Sequence, residues 1–535
     1  MLACERRRFL ALTAGLAALG RARDGRANGY RVVRPFLDPA EQAALRRFAA
    51  QTRAPLWSGS ALADRRLLAL RKAIETAERH GLDPEAYDPA ALDGRGADPS
   101  VLEAAAGAAF LAFARDLARG RPIPGLPPRP AASGEEPEAL LHQLARASDA
   151  AAFLDRLAPA TPRYARLVSL LAELRATAAR GGWARVPPVE GKVEPGEAHP
   201  VIPALRRRLA ETDGFEGPLD GELLDPPLVT ALRRFQERHG LEPDGVLGRR
   251  TAAALGRRTA AALAAPIEWR IGQVILAMER LRRLPPDRGP RWLLVDIAGF
   301  RLELVEEPAP GQERVLLESP IIVGTRYNQT PELTARAVAV TLNPFWQVPR
   351  SIAVKEILPD IRKDPTWLAR NEMVVLDREG RRVDPATVPW HSLGPNNFPY
   401  RLRQEWGPKN PLGRIKLEMP NDFDVYLHDT PKKELFARSQ RTFSHGCMRV
   451  ARMHELAALL LAEQGWDRER IEAAIEESRG PRTIPLRTRP LVHVTYLGAV
   501  VDADGTVRFR EDVYGRDARL APLLDLPAPE PARTF

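Results

Sequence analysis

The hydrophobic pattern of this chain changes its period near residue 290, and no other feature constrains the fold as strongly. Before that point apolar residues recur at intervals of three and four, as in LLALRKAIETAERHGLDPEAY, which is the spacing of amphipathic helices. After it, runs such as RWLLVDIAGFRLELVEE and ARAVAVTLNPFWQVP have the composition and period of strands. A chain of 535 residues is too long for a single core. The pattern therefore predicts a multidomain α+β protein of about three domains.

The helical part is divided by segments rich in proline and glycine. Residues 30–185 are predicted to form a helical scaffold, interrupted by the loop RGRPIPGLPPRPAASGEEPE and closed by the linker VPPVEGKVEPGEAHP. Residues 200–265 are predicted to form a small three-helix domain. Two of its helix faces are apolar: Ile202, Leu205 and Leu209 on one helix, and Leu228, Leu232 and Phe235 on another.

The first 27 residues have the pattern of an export signal. An arginine cluster is followed by the apolar stretch Phe9–Leu19 and by small residues up to Ala27. This stretch is shorter than the roughly 20 apolar residues that a transmembrane helix needs. Arg6 and Arg7 resemble the start of a twin-arginine (Tat) signal, and a Sec signal with an arginine-rich start is the alternative. We therefore expect a periplasmic protein without stable membrane insertion after signal cleavage.

The formal net charge of +10 favours an acidic polymer as the partner. Nucleic acid is disfavoured, because an exported protein rarely meets it and because the lysines and arginines are scattered among many acidic residues. A cell-wall polymer whose peptides bear carboxylates fits the expected location better.

Cysteine is almost absent from the chain, which has only Cys4, in the predicted signal, and Cys447. Signal cleavage would leave one thiol in an oxidising compartment, where it cannot form an internal disulfide. An exposed lone thiol is open to oxidation, so a chemical use explains Cys447 best. A buried inert cysteine and a metal ligand are the alternatives.

Cys447 lies in RTFSHGCMRV, residues 441–450, whose residue types suit an activated nucleophile. A thiol reacts as a thiolate and needs a base or a positive environment. The base is predicted to be His428, at the end of the strand-like DVYLHDT, because the fifteen residues 429–443 can return the chain to the end of that strand. His445 is interpreted as an orienting or substrate-contacting group, since sequence neighbours on an extended backbone point apart.

Three further features of this segment are expected to assist the thiol. Gly446 permits a tight turn, in which the N–H groups of Gly446 and Cys447 would form an oxyanion hole. A helix is predicted to start near Ala451, and its N-terminus would lower the pKa of Cys447. Arg449 adds positive charge, with an ordinary surface arginine as the alternative.

His428, fifteen intervening residues and Ser444-His445-Gly446-Cys447 together resemble the signature of the L,D-transpeptidases, cysteine enzymes that cross-link bacterial peptidoglycan. The resemblance extends to NPFWQVP, GPKNPLGRIKLEMPN and YLHDTP, as in the long periplasmic members of that family. It implies four catalytic residues: Cys447, His428, His445 and Gly446. The substrate-binding residues that we predict from the same motifs are Ser444, Arg449, Tyr426, Trp346 and Asn343.

A second resemblance concerns ALRRFQERHGLEPDGVLGRRTAAAL, which is similar to the peptidoglycan-binding domain found beside such enzymes. The alternative is a module that acts only as a spacer. The segment carries that domain's signature pairs: Phe235-Gln236 and Asp244-Gly245, followed by Gly248.

The implied order is a signal peptide at 1–27, a scaffold at 30–185, a peptidoglycan-binding domain at 200–265, a catalytic domain at 290–480, and a hairpin and tail at 481–535. The stretch 351–409 interrupts the strands and is expected to form a capping insertion over the Cys447 site.

The resemblance implies a ping-pong reaction, in which Cys447 attacks a donor tetrapeptide stem, releases its terminal D-alanine and holds the stem as a thioester. His428 would take the thiol proton and later activate the amine of a neighbouring stem, which gives a 3→3 cross-link. The implied partners are peptidoglycan stem peptides and glycan, and no cofactor is expected.

Other functions stay open at this point. An L,D-carboxypeptidase would hydrolyse the same thioester, and a non-catalytic protein would only bind peptidoglycan. A zinc site could draw on His428, His445 and Cys447. A faint calcium-loop pattern at Asp502 and Asp504 lacks the other ligand positions.

Overall fold

A computed structural model of the chain shows two compact units. It describes residues 26–27, 30–31, 37–52, 54–94, 98–187, 189, 191–248, 266–364 and 366–527. The first unit comprises the described parts of Met1–Asp287, Pro310–Gln312 and Leu497–Phe535, and the second comprises those of Arg288–Ala309 and Glu313–Tyr496. Of the predicted export signal, only the short strand Arg26–Ala27 is described, paired with Tyr30–Arg31, so Cys4 lies outside the described residues. Among the helices that the structure describes, none is both long and apolar enough to cross a membrane.

Helices form the N-terminal part of the first unit, as predicted. Its α-helices are Pro39–Gln51, Ala61–Glu75, Pro99–Arg119, Pro137–Arg146, Ala150–Asp155 and Pro162–Ala179. Several begin with proline, whose missing N–H costs nothing at a helix start. The first also has a capping box, in which the Glu41 N–H donates to Asp38 Oδ1 at 2.8 Å and the Asp38 N–H donates to Glu41 Oε2 at 2.9 Å. Helix Pro99–Arg119 is buried along most of its length and anchors the apolar core.

A smaller helical region follows, with its own apolar core. It contains the helices Ile202–Thr212 and Pro226–Arg238 and the paired strands Lys192–Val193 and Leu247–Gly248. The predicted helix faces are confirmed, since all six of their apolar residues are fully buried. The Gln236 side chain donates to Asp244 Oδ1 at 2.7 Å and accepts the Gly245 N–H at 2.8 Å, so these signature residues stabilise the turn. Residues 249–265 of the predicted three-helix domain lie outside the described residues.

The second unit is built on a curled sheet of eleven strands. Ten of them run in the order Arg482–Pro485, Ala339–Leu342, Ile415–Glu418, Leu427–His428, Met448–Val450, Arg314–Gly324, Arg301–Glu306, Arg291–Asp296, Leu491–Thr495 and Leu333–Arg336, and Thr442–Ser444 pairs with Arg314–Gly324. Leu333–Arg336 and Ala339–Leu342 are close in the chain but stand at nearly opposite ends of this order. The sheet therefore curls around its interior. Helices Met453–Leu461 and Arg468–Glu477 complete the unit, and the predicted α+β class is confirmed.

The stretch that interrupts the strand pattern has a sheet and a core of its own. Its four antiparallel strands lie in the order Trp346–Gln347, Arg401–Gln404, Met373–Leu376 and Arg382–Val383. Its helical segments are Arg350–Ile352, the π-helical Ala353–Ile357, Leu358–Lys363 and Trp367–Arg370. We call this segment, from Trp346 to Gln404, the insertion. It starts five residues before the predicted position 351, because Trp346 already pairs with Gln404.

The C-terminal region is divided differently from the expectation at residue 480. Strands Arg482–Pro485 and Leu491–Thr495 belong to the large sheet, so that sheet ends at Thr495. The hairpin predicted around Asp504 and Gly505 is present, with Ala499–Val501 paired to Val507–Phe509. Arg508 Nε forms an ion pair with Asp502 Oδ2 at 2.5 Å, so the interpretation of Asp502 and Asp504 as part of a calcium loop gains no support.

Candidate active site

The sheet brings His428 beside the SHGC segment. Strand Leu427–His428 runs parallel to Met448–Val450, with Leu427 opposite Met448 and His428 opposite Arg449. The Met448 N–H donates to the Tyr426 carbonyl at 3.0 Å. Residues 429–443 thus return the chain to the strand that carries His428, as their length predicted.

The two faces of these strands have different characters. Leu427 and Met448 are fully buried in the core. Since side chains alternate along a strand, His428 and Arg449 lie together on the other face. On the neighbouring antiparallel strand Lys416 stands opposite His428. Lys416, His428 and Arg449 therefore form a row across three strands, which we call the basic row.

The tautomer of His428 follows from its backbone contact. Its Nδ1 lies 2.5 Å from the carbonyl oxygen of Asp429, and a carbonyl only accepts, so Nδ1 carries the proton and donates. The lone pair of the neutral ring is then on Nε2. Burial lowers the pKa of His428 to about 3, and the charges of Arg449 and Lys416 act in the same direction. At neutral pH His428 is an uncharged base with a fixed orientation.

Asp429, which supplies that carbonyl, is held from several sides. Burial raises the pKa of its carboxyl. His454, whose Nε2 lies 3.9 Å from Asp429 Oδ2, and hydrogen bonds from Lys433 and the Arg414 N–H outweigh this and keep the pKa well below its usual range. Gly413 has φ of 62°, and a Cβ there would lie 2.3 Å from Asp429 Oδ2. Only glycine lets the chain approach Asp429 so closely. The sequence interpretation missed this support, although Gly413 lies in the motif GPKNPLGRIKLEMPN.

Cys447 is half-buried and is the free cysteine of the described residues. Its Sγ lies 3.9 Å from the Asp424 carbonyl oxygen. Burial raises the pKa of the thiol, against the lowering effect of the Tyr426 backbone and hydroxyl and of the Lys416 charge. The prediction that a helix N-terminus lowers this pKa is wrong, because the chain continues as strand Met448–Val450 and the helix begins only at Met453. A neutral thiol and a neutral imidazole are the resting forms.

A network of hydroxyl groups sets the shape of the SHGC turn. Ser444 Oγ donates to the Cys447 carbonyl at 2.5 Å and accepts the Gly446 N–H at 3.2 Å. Thr330 Oγ1 donates to the Gly446 carbonyl at 2.7 Å. Gly446 has φ of 116°, which favours glycine. Ser444 is 2% exposed, so it shapes the turn and does not face a substrate as predicted. No sequence motif pointed to Thr330.

The same network decides which backbone donors are available. The Gly446 N–H, one of the two expected oxyanion donors, is taken by Ser444. Among the residues that the structure describes, the Cys447 N–H has no hydrogen-bond acceptor. Of the predicted pair, Cys447 alone is thus available to a developing oxyanion.

His445 points toward the insertion. Its Nε2 lies 2.9 Å from Oε1 of Glu356, in the π-helical segment Ala353–Ile357, and both side chains are exposed. The insertion therefore contacts the SHGC turn directly. Within the described ranges, no three or more His, Cys, Asp or Glu side chains are grouped so as to hold a metal ion. The zinc site considered above is thus not assembled from them.

The remaining predicted contacts divide into two groups. The half-buried Tyr426 has its ring 5.7 Å from that of His428, and Lys416 Nζ lies 4.1 Å from its ring centroid. Its hydroxyl acts to lower the pKa of the Cys447 thiol. Trp346 is half-buried and packs against the core of the insertion. Asn343 is 0% exposed, and its Nδ2 donates to the Ile475 carbonyl at 2.7 Å. The prediction that Asn343 binds substrate is therefore corrected: its amide holds the interior together.

Family models match three parts of the chain. The L,D-transpeptidase catalytic domain (YkuD) matches residues 290–480, which include the whole SHGC segment and the insertion. A "Scaffold domain" matches residues 43–171. A "Putative peptidoglycan binding domain" matches residues 199–255.

One curated relative and several solved structures are similar to parts of the chain. A Haemophilus influenzae protein (strain ATCC 51907 / DSM 11121 / KW20 / Rd) named "Putative L,D-transpeptidase" is 34% identical over 242 residues, which are 45% of this chain and 47% of that protein. The match thus spans about half the length of this relative. An L,D-transpeptidase from Mycobacterium smegmatis is 14% identical, with a TM-score of 0.18 over 38% of this chain and 58% of its own. Mycobacterium tuberculosis L,D-transpeptidase 1 is 11% identical, with a TM-score of 0.15 over 38% and 61%. At these TM-scores no conclusion about this chain follows from the two structures.

Proposed function

We propose that the chain is a member of the L,D-transpeptidase family that cross-links peptidoglycan stem peptides with Cys447 as the nucleophile. The match of residues 290–480 to the L,D-transpeptidase catalytic domain supports this. One observation carries the proposal. The parallel pairing of Leu427–His428 with Met448–Val450 places a neutral histidine of defined tautomer beside the turn that presents the thiol.

In the first step Cys447 Sγ attacks the carbonyl carbon of the bond that joins the donor stem to its terminal D-alanine. The new C–S bond forms as the C–N bond breaks. His428 Nε2 takes the thiol proton and gives it to the amine of the departing D-alanine. Since burial raises the thiol pKa, proton transfer accompanies attack and no thiolate is stored beforehand. General base catalysis of this kind contributes about 100-fold to 10,000-fold in rate.

The carbonyl oxygen becomes negatively charged during that attack. The Cys447 N–H, which has no acceptor among the described residues, is a donor for this oxyanion, and the Tyr426 hydroxyl, which acts to lower the pKa of the thiol, is a second. Loss of one such donor typically costs about 100-fold to 1,000-fold in rate. Gly446 contributes through the shape of the turn: its own N–H is bound by Ser444, and the turn leaves the Cys447 N–H available.

In the second step the amine of a neighbouring stem attacks the thioester. His428 accepts a proton from this amine and returns it to the Cys447 sulfur as the C–S bond breaks. The product is a 3→3 cross-link. The insertion, held to the turn by Glu356 and His445, acts in this proposal as a cap over the bound stems.

The rest of the chain fits a cell-wall location. The match of residues 199–255 to a peptidoglycan-binding model and the formal charge of +10 support peptidoglycan as the partner. The signal pattern of residues 1–27 supports export to the periplasm, by the Tat or the Sec route.

Mass spectrometry of muropeptides tests the proposal. Purified disaccharide-tetrapeptide would be incubated with the wild-type protein and with Cys447→Ala. The proposal predicts a 3→3 dimer and free D-alanine with the wild type, and neither with the variant. Loss of D-alanine without dimer would indicate an L,D-carboxypeptidase instead. Unchanged tetrapeptide with the wild type would contradict both activities and leave a binding protein.

A further inference from the structure

Arg449 is a cation of the site for which the described residues supply no carboxylate partner. Among the residues that the structure describes, no carboxylate forms an ion pair with its guanidinium, and its Nε is buried without a hydrogen-bond acceptor. Four other cations of the same unit have carboxylate partners: Lys416 with Glu418 at 2.8 Å, Arg414 with Glu476 at 3.2 Å, Lys433 with Asp429, and Arg452 with Glu455. Arg449 differs from these four.

An unpaired guanidinium in a half-buried position is costly. Removing a charged donor from water without supplying an acceptor loses hydrogen-bond free energy that the fold must offset elsewhere. Burial accordingly lowers the pKa of Arg449, although an arginine keeps its charge at any physiological pH. Such a group is suited to an anion that arrives with a ligand.

The position of Arg449 indicates which anion this is. Arg449 lies two residues after Cys447 and opposite His428, so it shares the face on which the base lies. In a donor stem cut before its last residue, the terminal carboxylate lies one residue, about 3.3–3.6 Å, beyond the scissile carbonyl. A carboxylate that close to the thiol falls within reach of the Arg449 side chain.

We propose that Arg449 binds the free carboxylate of the donor stem's terminal D-alanine and thereby selects stems that end at that residue. This inference rests on the proposed function and adds the residue that determines donor choice. The planar guanidinium can bind both carboxylate oxygens with parallel N–H bonds. A stem that continues past this residue, or whose terminus is an amide, lacks that anion at this place.

The test compares two synthetic donors that differ only in their last group. One is the tetrapeptide stem with its free carboxylate, and the other is the same stem with a C-terminal carboxamide. Because the amide cannot form the charged pair, wild-type kcat/KM should be about tenfold to a hundredfold higher for the acid. Arg449→Gln should reduce that preference to near unity by lowering kcat/KM for the acid alone.

Two further variants make the comparison decisive. Arg449→Lys keeps a charge but loses the paired geometry, so it should retain part of the preference, and it serves if the glutamine variant fails to fold. Lys416→Gln removes the other cation of the basic row, which Glu418 already pairs, and should leave the acid-to-amide ratio unchanged. A ratio that collapses in Lys416→Gln would assign the carboxylate to Lys416 and overturn the inference.

The outcomes separate this inference from the proposed function. If the wild-type protein releases the terminal residue from both donors at equal rates, the proposed reaction stands and Arg449 does not read the carboxylate. If Arg449→Gln keeps the full preference, the inference is likewise wrong. If the wild type acts on neither donor, the proposed function itself fails.

Discussion

Replacing His428 by glutamine should make the stability of the protein less sensitive to acid. The pKa of this histidine falls from 6.5 to about 3 on folding, because the ring is buried. Below pH 6.5 the unfolded chain takes up a proton that the folded chain cannot accept until about pH 3. The folded state therefore loses stability as the pH falls through this window, and the loss is complete below about pH 3.

The size of the effect follows from the shift. Each pH unit within the window costs the folded state about 1.4 kcal/mol. Between pH 6.5 and 5.0 the histidine should therefore cost about 2 kcal/mol. For a unit of about 200 residues this corresponds to about 4–8 °C in Tm. Glutamine has no charge to gain, so His428→Gln should escape this part of the acid sensitivity.

The assay is calorimetric Tm of the wild type and of His428→Gln at pH 7.5 and pH 5.0. Other buried histidines titrate in both proteins, and their effects cancel when the two proteins are compared at one pH. The quantity of interest is therefore the Tm of the variant minus the Tm of the wild type, compared between pH 7.5 and pH 5.0. That difference should shift by about 4–8 °C in favour of the variant at the lower pH. His445→Gln is the matched control, because the His445 side chain is exposed to solvent. Parallel Tm curves for wild type and His428→Gln would refute the buried, neutral histidine.

Three other predictions concern the thiol, the cap and the helical module. A carbapenem should leave one covalent adduct per chain on the wild type and none on Cys447→Ala, counted by intact mass; an adduct on the variant would place the reaction elsewhere. Glu356→Gln should raise KM for the donor stem by about twofold to fivefold, because the exposed pair with His445 is weak. An unchanged KM would count against a capping role for the insertion. Removing residues 199–255 should lower the fraction bound to purified sacculi, and an unaltered fraction would make the module a spacer.

Features that depend on local spacing were predictable from the sequence. The change of hydrophobic period at residue 290 separates helices from the curled sheet, because amphipathic spacing directly reflects which face is buried. The meeting of His428 with the SHGC turn was also predictable. A strand, a loop of fifteen residues and a second strand leave little freedom in how the two segments pair.

Features that depend on distant contacts were not predictable. Asn343 and Ser444 belong to recognisable motifs, but a motif does not reveal whether a polar side chain serves the backbone or a ligand. Thr330 donates a hydrogen bond to the Gly446 carbonyl from more than a hundred residues away in the chain, and no local sequence pattern predicts this contact. The prediction that a helix N-terminus lies next to Cys447 was wrong, because the residues after Cys447 form a short strand. The sequence there did not distinguish a short strand from the start of a helix. That the described residues leave the buried Arg449 Nε without a hydrogen-bond acceptor is seen only in the folded arrangement.

The central claim is that Cys447 carries the donor stem as a thioester. Rapid acid quench of wild-type protein with the tetrapeptide donor, followed by intact mass and peptide mapping, measures this directly. We expect a mass increase equal to the stem without its D-alanine, located on the peptide that contains Cys447, and absent from Cys447→Ala. Continued formation of 3→3 dimer by Cys447→Ala, or turnover by the wild type with the adduct on another residue, would contradict it.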